Sequence, residues 1–287
     1  MKIFPNKLLQ FNGMCADRYT MNLTKAPPVR LSVRTLLCST FALAAAAANS
    51  LALANSGHGD QPTGTAPGIV LKELEAGNKR FIENDRKHPN EDPVRRRTLA
   101  TGQKPEAIVL SCSDSRVPPE VVFDKGLGEL FVIRVAGNVL GAATVASIEY
   151  ALEHLGTRLI VVMGHESCGA VKAALTTPAN ASAGSPDLDT LISAITPHLS
   201  SADRAIAAGG ASHDKTIRRP VMDNVNGVAK RLLQRSSIVR THVESGKVAI
   251  VPAIYGLESG LVDFWNTDAL KKSPPHEHSA PLKPAHH

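Results

Sequence analysis
Apolar residues recur at the spacing of an amphipathic helix across Gly68–Asn84, at Ile69, Leu71, Leu74, Phe81 and Ile82. Three short continuous apolar runs follow, Ala107–Ser111 (AIVLS), Leu130–Arg134 (LFVIR) and Leu159–Gly164 (LIVVMG), with a fourth, Lys247–Tyr255 (KVAIVPAIY), late in the chain. Runs of this length without polar alternation are the pattern of strands covered on both faces. Between the second and third lies Ala143–Leu155 (ATVASIEYALEHL), helical in spacing and closed by Gly156. Strand, helix, strand in that order predicts an α/β fold around a parallel sheet with right-handed crossovers. Ligands in such sheets gather beyond the carboxyl ends of the strands. The segments after the first and third strands are therefore where chemistry is expected.

The periodic region, 68–270, is flanked by segments of another kind. Residues 1–34 hold six basic residues against the single acid Asp17, and Thr35–Ala54 carries no charge. A basic stretch, an apolar stretch and then Ala52-Leu53-Ala54 read as a secretory signal, 1–54, cleaved after Ala54, with a membrane anchor as the alternative. Met21 offers a later start that leaves a compact basic region of Lys25, Arg30 and Arg34. Leu37, immediately before Cys38, speaks against lipid attachment. Residues 55–67 are Gly, Pro and polar, a flexible lead-in, and 271–287 repeat Pro and His, a disordered tail. The expected product is an exported, periplasmic protein with no stable membrane anchor.

Composition then changes meaning. Of the 287 residues, 43% are hydrophobic and 20% charged, which excludes a wholly disordered chain. The formal charge of +6 falls to +1 once residues 1–54 leave, so the basic character belongs to the signal. Aromatics at 4% argue against stacking platforms, and Arg95-Arg96-Arg97 reads as a solvated helix end, so no nucleic-acid partner is expected. Of four cysteines, Cys15 and Cys38 leave with the signal, and Cys112 and Cys168 remain.

Those two thiols stand at the strand ends, in Ser111-Cys112-Ser113-Asp114-Ser115-Arg116-Val117-Pro118 and Gly164-His165-Glu166-Ser167-Cys168-Gly169. Cys112, His165 and Cys168 suit zinc, and three protein ligands with an open fourth position is the catalytic pattern. Spacing alone leaves zinc, a disulfide and no function open. Asp114 and Arg116 shift the balance, because a carboxylate locked to a guanidinium is a fixed acceptor beside a metal. The same pair is also an ordinary salt bridge.

Cys-Ser-Asp-Ser-Arg-Val-Pro at 112–118, Phe-Val-Ile-Arg-Val-Ala-Gly-Asn at 131–138 and Gly-His-x-x-Cys-Gly at 164–169 closely resemble the β-class carbonic anhydrases. The resemblance runs from about Leu71 to Trp265 and includes a late hairpin at Tyr255–Gly260. It implies an α/β domain with a central, mainly parallel sheet of four to five strands flanked by helices. It also implies one zinc ion per chain on Cys112, His165 and Cys168, and a homodimer or dimer of dimers. The implied reaction is the hydration of carbon dioxide to bicarbonate by zinc-bound hydroxide. Asp114, braced by Arg116, accepts the hydroxide's hydrogen bond in an open form, or itself binds zinc in a closed one.

By the same resemblance, Gln103 of one subunit reaches its partner's site, and Phe131, Ala136, Tyr150 and Gly169 join the substrate pocket. Ala136 stands where a larger Val is common, implying a roomier pocket. Val109 stands where one bacterial branch has the Trp of a non-catalytic bicarbonate site, so the open, plant-like arrangement is expected. The alternatives are a non-catalytic zinc- or bicarbonate-binding protein and a carbon disulfide or carbonyl sulfide hydrolase on the same fold.

Overall fold
A computed structural model describes residues 64–178, 180–208 and 217–267. The leader 1–54, all but 64–67 of the lead-in and the tail 271–287 lie outside the described residues. The first helix, α1 (Pro67–Ile82), starts with Pro67 in its first turn, where a missing N–H costs nothing. Pro67 thus belongs to the helix rather than to the lead-in. Its buried stripe is Val70, Leu71, Leu74 and Gly77-Asn78, while Ile69 and Ile82 are 38% and 42% exposed. The expected face was therefore turned by about one residue: the 3.6-residue period aligns Val70 with Leu74 and Asn78 better than it does Ile69.

A short helix α2 (Pro93–Leu99), capped by the Asp92 side chain, carries Arg95, Arg96 and Arg97 at the surface. The chain then alternates β1 (Ala107–Ser111), α3 (Pro119–Val122), β2 (Leu130–Arg134), α4 (Ala142–Leu155), β3 (Leu159–His165) and α5 (Gly169–Thr176). Helices α6 (Pro186–Ile195), α7 (Ser201–Ala208), α8 (Arg218–Arg235) and α9 (Ser237–Glu244) precede β4 (Ala249–Tyr255) and β5 (Val262–Phe264). The sheet runs β2-β1-β3-β4-β5, parallel through β4, with β5 returning antiparallel as the far arm of the hairpin after Tyr255. The expected α/β sheet is present with five strands. The fourth strand starts at Ala249, two residues later than its apolar run.

Alternate side chains of the buried strands feed two cores, one on each face of the sheet. Ile108, Leu110, Ile160 and Val162 face the layer built by α4, α5, α6, α8 and α9. Ala107, Val109, Leu159, Val161 and Met163 face α1 and α3. Helix α4 ends on Gly156 at φ 68°, the left-handed cap its sequence signals. At Gly164 on β3, a Cβ would meet Val221 and Val225 of α8 at 2.6 and 2.8 Å. That contact seats α8 directly on the strand that ends in His165.

Candidate metal centre at the ends of β1 and β3
Register brings the two motifs together. Ser111 of β1 pairs with Met163 of β3, so Cys112, one residue past β1, arrives beside the last turn of β3 and His165. Beyond His165 the chain reverses through Ser167 at φ 52°, and Cys168 becomes the N-cap of α5. The three side chains are buried, and their Sγ, ring nitrogen and Sγ atoms lie within 4.8 Å of one another. Both cysteines are free thiols, which sets aside the disulfide reading.

The chemistry of the three donors fits a soft divalent cation. His165 Nδ1 lies 2.8 Å from the Glu166 carbonyl oxygen. A carbonyl only accepts, so Nδ1 carries the proton and Nε2 presents a lone pair toward the two sulfurs. That Nε2 is fully buried with no hydrogen-bond partner, a costly condition unless a cation meets it. The thiols titrate as a pair. The Cys168 hydrogen bond, with the backbone N–H groups around Cys112, pulls the Cys112 thiol down against the cost of burial. Sharing with Cys112, together with burial, pushes the Cys168 thiol up. One proton is thus held between two sulfurs, and which of them is the thiolate is a property of the pair. Removing that last proton requires a compensating positive charge, which a metal ion supplies.

Asp114 closes one side of the centre. Its Oδ1 accepts from the backbone N–H and the Nε of Arg116 at 3.0 and 2.9 Å, and its Oδ2 accepts from Nη2 at 2.7 Å. Oδ2 also lies 3.7 Å from His165 Nε2. The Arg116 guanidinium and backbone N–H hold the Asp114 carboxyl well below the usual carboxylate range, so it is an ionised acceptor. The loop that presents Asp114 turns on a Val117 N–H bond to the Asp114 carbonyl and runs into Pro118 and Pro119.

Two groups at this centre escape sequence reading. Arg134, the last residue of β2, donates from Nε to the Cys112 carbonyl at 3.0 Å and from Nη2 to the Asp114 carbonyl. It pins the loop that carries both a sulfur donor and the dyad. Gly137, in the turn after β2, donates its N–H to Cys112 Sγ at 3.3 Å. Both stand in the 131–138 stretch that carries the family resemblance, but nothing in that stretch assigned either a role at the sulfur.

The expected pocket residues are placed unequally. Ala136 adjoins Gly137 and so lies beside the sulfur, and Gly169 opens α5 with free space where a side chain would stand. Phe131 and Tyr150 meet each other, ring centroids 6.5 Å apart. Phe131 pairs with Ile108, four strand positions and about 13 Å before Cys112. Tyr150 is 50% exposed. Gln103 is exposed just before β1, at the opposite end of that strand from Cys112. Their strand and helix positions hold Phe131 and Tyr150 along the β2 edge of the sheet.

A parallel α/β sheet that delivers two buried thiols and one imidazole to adjacent strand ends, beside a locked carboxylate, provides a donor set that could hold one metal ion of the zinc type. A family model described as "Carbonic anhydrase" matches residues 107–262. The chain is 38% identical to "Carbonic anhydrase 2" of Mycobacterium tuberculosis over 196 residues, 68% of this chain and 91% of that one. It is 36% identical to "Carbonic anhydrase" of Mycolicibacterium smegmatis over 198 residues, 69% and 93% of the two chains. The crystal structure of a β-carbonic anhydrase of Aspergillus fumigatus superposes with a TM-score of 0.52 at 28% identity, covering 71% of this chain and 93% of that one. The chain belongs to the carbonic anhydrase family, in its β class.

Proposed function
We propose that this chain catalyses the reversible hydration of carbon dioxide to bicarbonate and a proton, with Cys112, His165 and Cys168 holding one zinc ion. The observation that carries the reading is the buried, partnerless Nε2 of His165 within 4.8 Å of the two cysteine sulfurs. Zinc in this set supplies a hydroxide nucleophile at neutral pH, because it lowers the pKa of water from about 15.7 to about 7. The rest of the work falls to the chain. Asp114, fixed on three Arg116 hydrogen bonds, accepts the proton side of the attacking oxygen and turns its lone pair toward carbon. The small Ala136 leaves room for an apolar substrate beside the sulfur. Commitment of Asp114 to Arg116, and Val109 in place of a Trp, support an open arrangement in which the carboxylate stays an acceptor and is not a metal ligand.

A second copy of the chain completes the site in this reading. Gln103 and the Phe131–Tyr150 pair are exposed or half-exposed in one chain and remote from its Cys112, as expected of groups offered across a two-fold axis. Gln103 then stabilises charge growing on the substrate oxygen of the partner's site. Mixing Gln103→Ala protomers with Asp114→Asn protomers checks this, since each mixed dimer regains one complete site. Recovery toward roughly a quarter of wild-type activity is expected from random reassembly of symmetric dimers. Mixtures no more active than the two parents sink the shared-site arrangement.

Export remains part of the proposal, resting on the basic segment, the uncharged Thr35–Ala54 and the Ala-Leu-Ala site. One preparation tests function and processing together: protein recovered from outside the cytoplasm, its N-terminus sequenced, its zinc counted and its hydration rate followed by stopped flow. Asn55 first, one zinc per chain and accelerated hydration are expected. Zinc-replete protein that leaves hydration at the buffer rate overturns the catalytic reading in favour of a zinc- or bicarbonate-binding role.

A further inference from the structure
Asn224 lies in α8 with its side chain wholly buried, and both ends of its amide are committed. Nδ2 donates to the Gly137 carbonyl at 2.9 Å, and Oδ1 accepts from His198 Nδ1 at 2.9 Å. The orientation is dictated by the partners. A carbonyl cannot donate, so Nδ2 faces Gly137, Oδ1 faces the imidazole, and His198 carries its proton on Nδ1. The His198 ring lies against the backbone of Gly227, one turn further along α8, where a Cβ would collide with it. His198 is thereby held by the same helix whose asparagine it orients.

At its other end this line reaches the metal centre. Gly137 stands at φ 62°, and a Cβ there would meet Ile195 Cδ1 at 2.7 Å and Ala170 Cβ at 3.1 Å. Both its conformation and its space require glycine. A glycine turn has many alternative conformations, so its direction must be fixed from outside. The bond from Asn224 to the Gly137 carbonyl does so, and the Gly137 N–H then donates to Cys112 Sγ at 3.3 Å.

We propose that Asn224, oriented by His198, is a positioning residue of the metal centre: it fixes Gly137 so that its N–H is aimed at Cys112 Sγ, setting the direction and the charge of that sulfur. The inference rests on the reading of Cys112 as a zinc ligand. An N–H donor withdraws charge from a thiolate, so the sulfur passes less charge to a bound cation and leaves it a stronger acid. A buried asparagine that merely satisfied a carbonyl would support the fold without touching the sulfur's electronic state.

The test measures the sulfur and the metal separately from turnover. Asn224→Leu, of similar size and unable to hydrogen-bond, is expected to lower zinc affinity about 10- to 100-fold in competition with a chromophoric chelator, because the lost aim of the Cys112 sulfur outweighs the charge returned to it. It should also shift the sulfur-to-metal charge-transfer band of the cobalt-loaded protein. His198→Phe should move both readings the same way, with an affinity loss of about fivefold, the net worth of one hydrogen bond. His198→Asn, whose amide N–H takes the place of Nδ1, should stay close to wild type. Folded Asn224→Leu protein with wild-type affinity and spectrum overturns the proposal. Should that variant fail to fold, wild-type affinity and spectrum in His198→Phe overturn it. Wild-type protein that binds no zinc in the same titration overturns the metal centre itself, and is distinguishable because the failure then precedes any substitution.

Discussion

Cys112→Ala is expected to empty the centre of metal and bring carbon dioxide hydration down to the rate of buffer, with the fold intact. The substitution removes one of three donors and leaves His165 Nε2 and Cys168 Sγ, a pair too few to hold a catalytic cation. Removing a group that only supports a ligand already costs about 10- to 100-fold in affinity, so loss of the ligand should exceed that range. The fold should survive because Cys112 sits at the margin of the core, 5% exposed beyond the last residue of β1, and the strand register does not pass through it. Replacing a thiol by a methyl removes little apolar area, about 1 kcal/mol of burial. Metal analysis after dialysis against a chelator, stopped-flow hydration and circular dichroism measure the three quantities. Retention of a full equivalent of zinc would remove Cys112 from the ligand set.

That experiment leans on features of unequal visibility in the sequence. The strands β1 and β3 were legible because a strand buried on both faces has no polar alternation; β2 reads as the same kind of apolar block, although as an edge strand it is only half-buried and not covered on both faces as its pattern suggests. β5 offered no such signal: three residues, Val262–Phe264, are placed by the hairpin and not by their own pattern. The face of α1 was misjudged by one residue because its buried stripe includes Asn78, a polar residue. Asn78 donates to the Val122 and Gly260 carbonyls and accepts from the Val262 N–H. Hydropathy cannot see a polar side chain that is buried because it is fully bonded.

The metal centre shows the same division. Cys112, His165 and Cys168 were legible as residue types at strand ends, where parallel sheets gather ligands. Their convergence depended on register, Ser111 opposite Met163, which no local pattern encodes. The roles of Arg134, Gly137 and Asn224 were illegible for a further reason: they are defined by partners 20 to 87 residues away in the chain. Phe131 and Tyr150 were legible by type, through the family resemblance, but their contact with each other was not. They share a position along the edge strand β2, which is where a second copy of the chain would have to meet them in the proposed shared site.

Asp114→Ala should lower turnover by a factor of at least about a hundred, the range for a group that handles a proton in the transition state, while leaving zinc in place. Asp114 is outside the three-donor cluster, and its carboxylate is already occupied by the Nε, Nη2 and backbone N–H of Arg116. Deleting it therefore removes an acceptor without removing a ligand. The freed guanidinium is 56% exposed and can return to water, so the loss of stability should be small. Asp114→Asn separates charge from shape: the amide oxygen can still accept from Arg116, but the NH2 now presents a donor where the attacking oxygen needs an acceptor. Both variants should lose kcat, with zinc content and melting temperature near wild type. Unchanged hydration kinetics in either would refute the assigned role. Loss of zinc alongside activity would have a different meaning, because Oδ2 lies only 3.7 Å from His165 Nε2. It would place Asp114 among the metal ligands and make Arg116 the group that competes with the cation for its carboxylate.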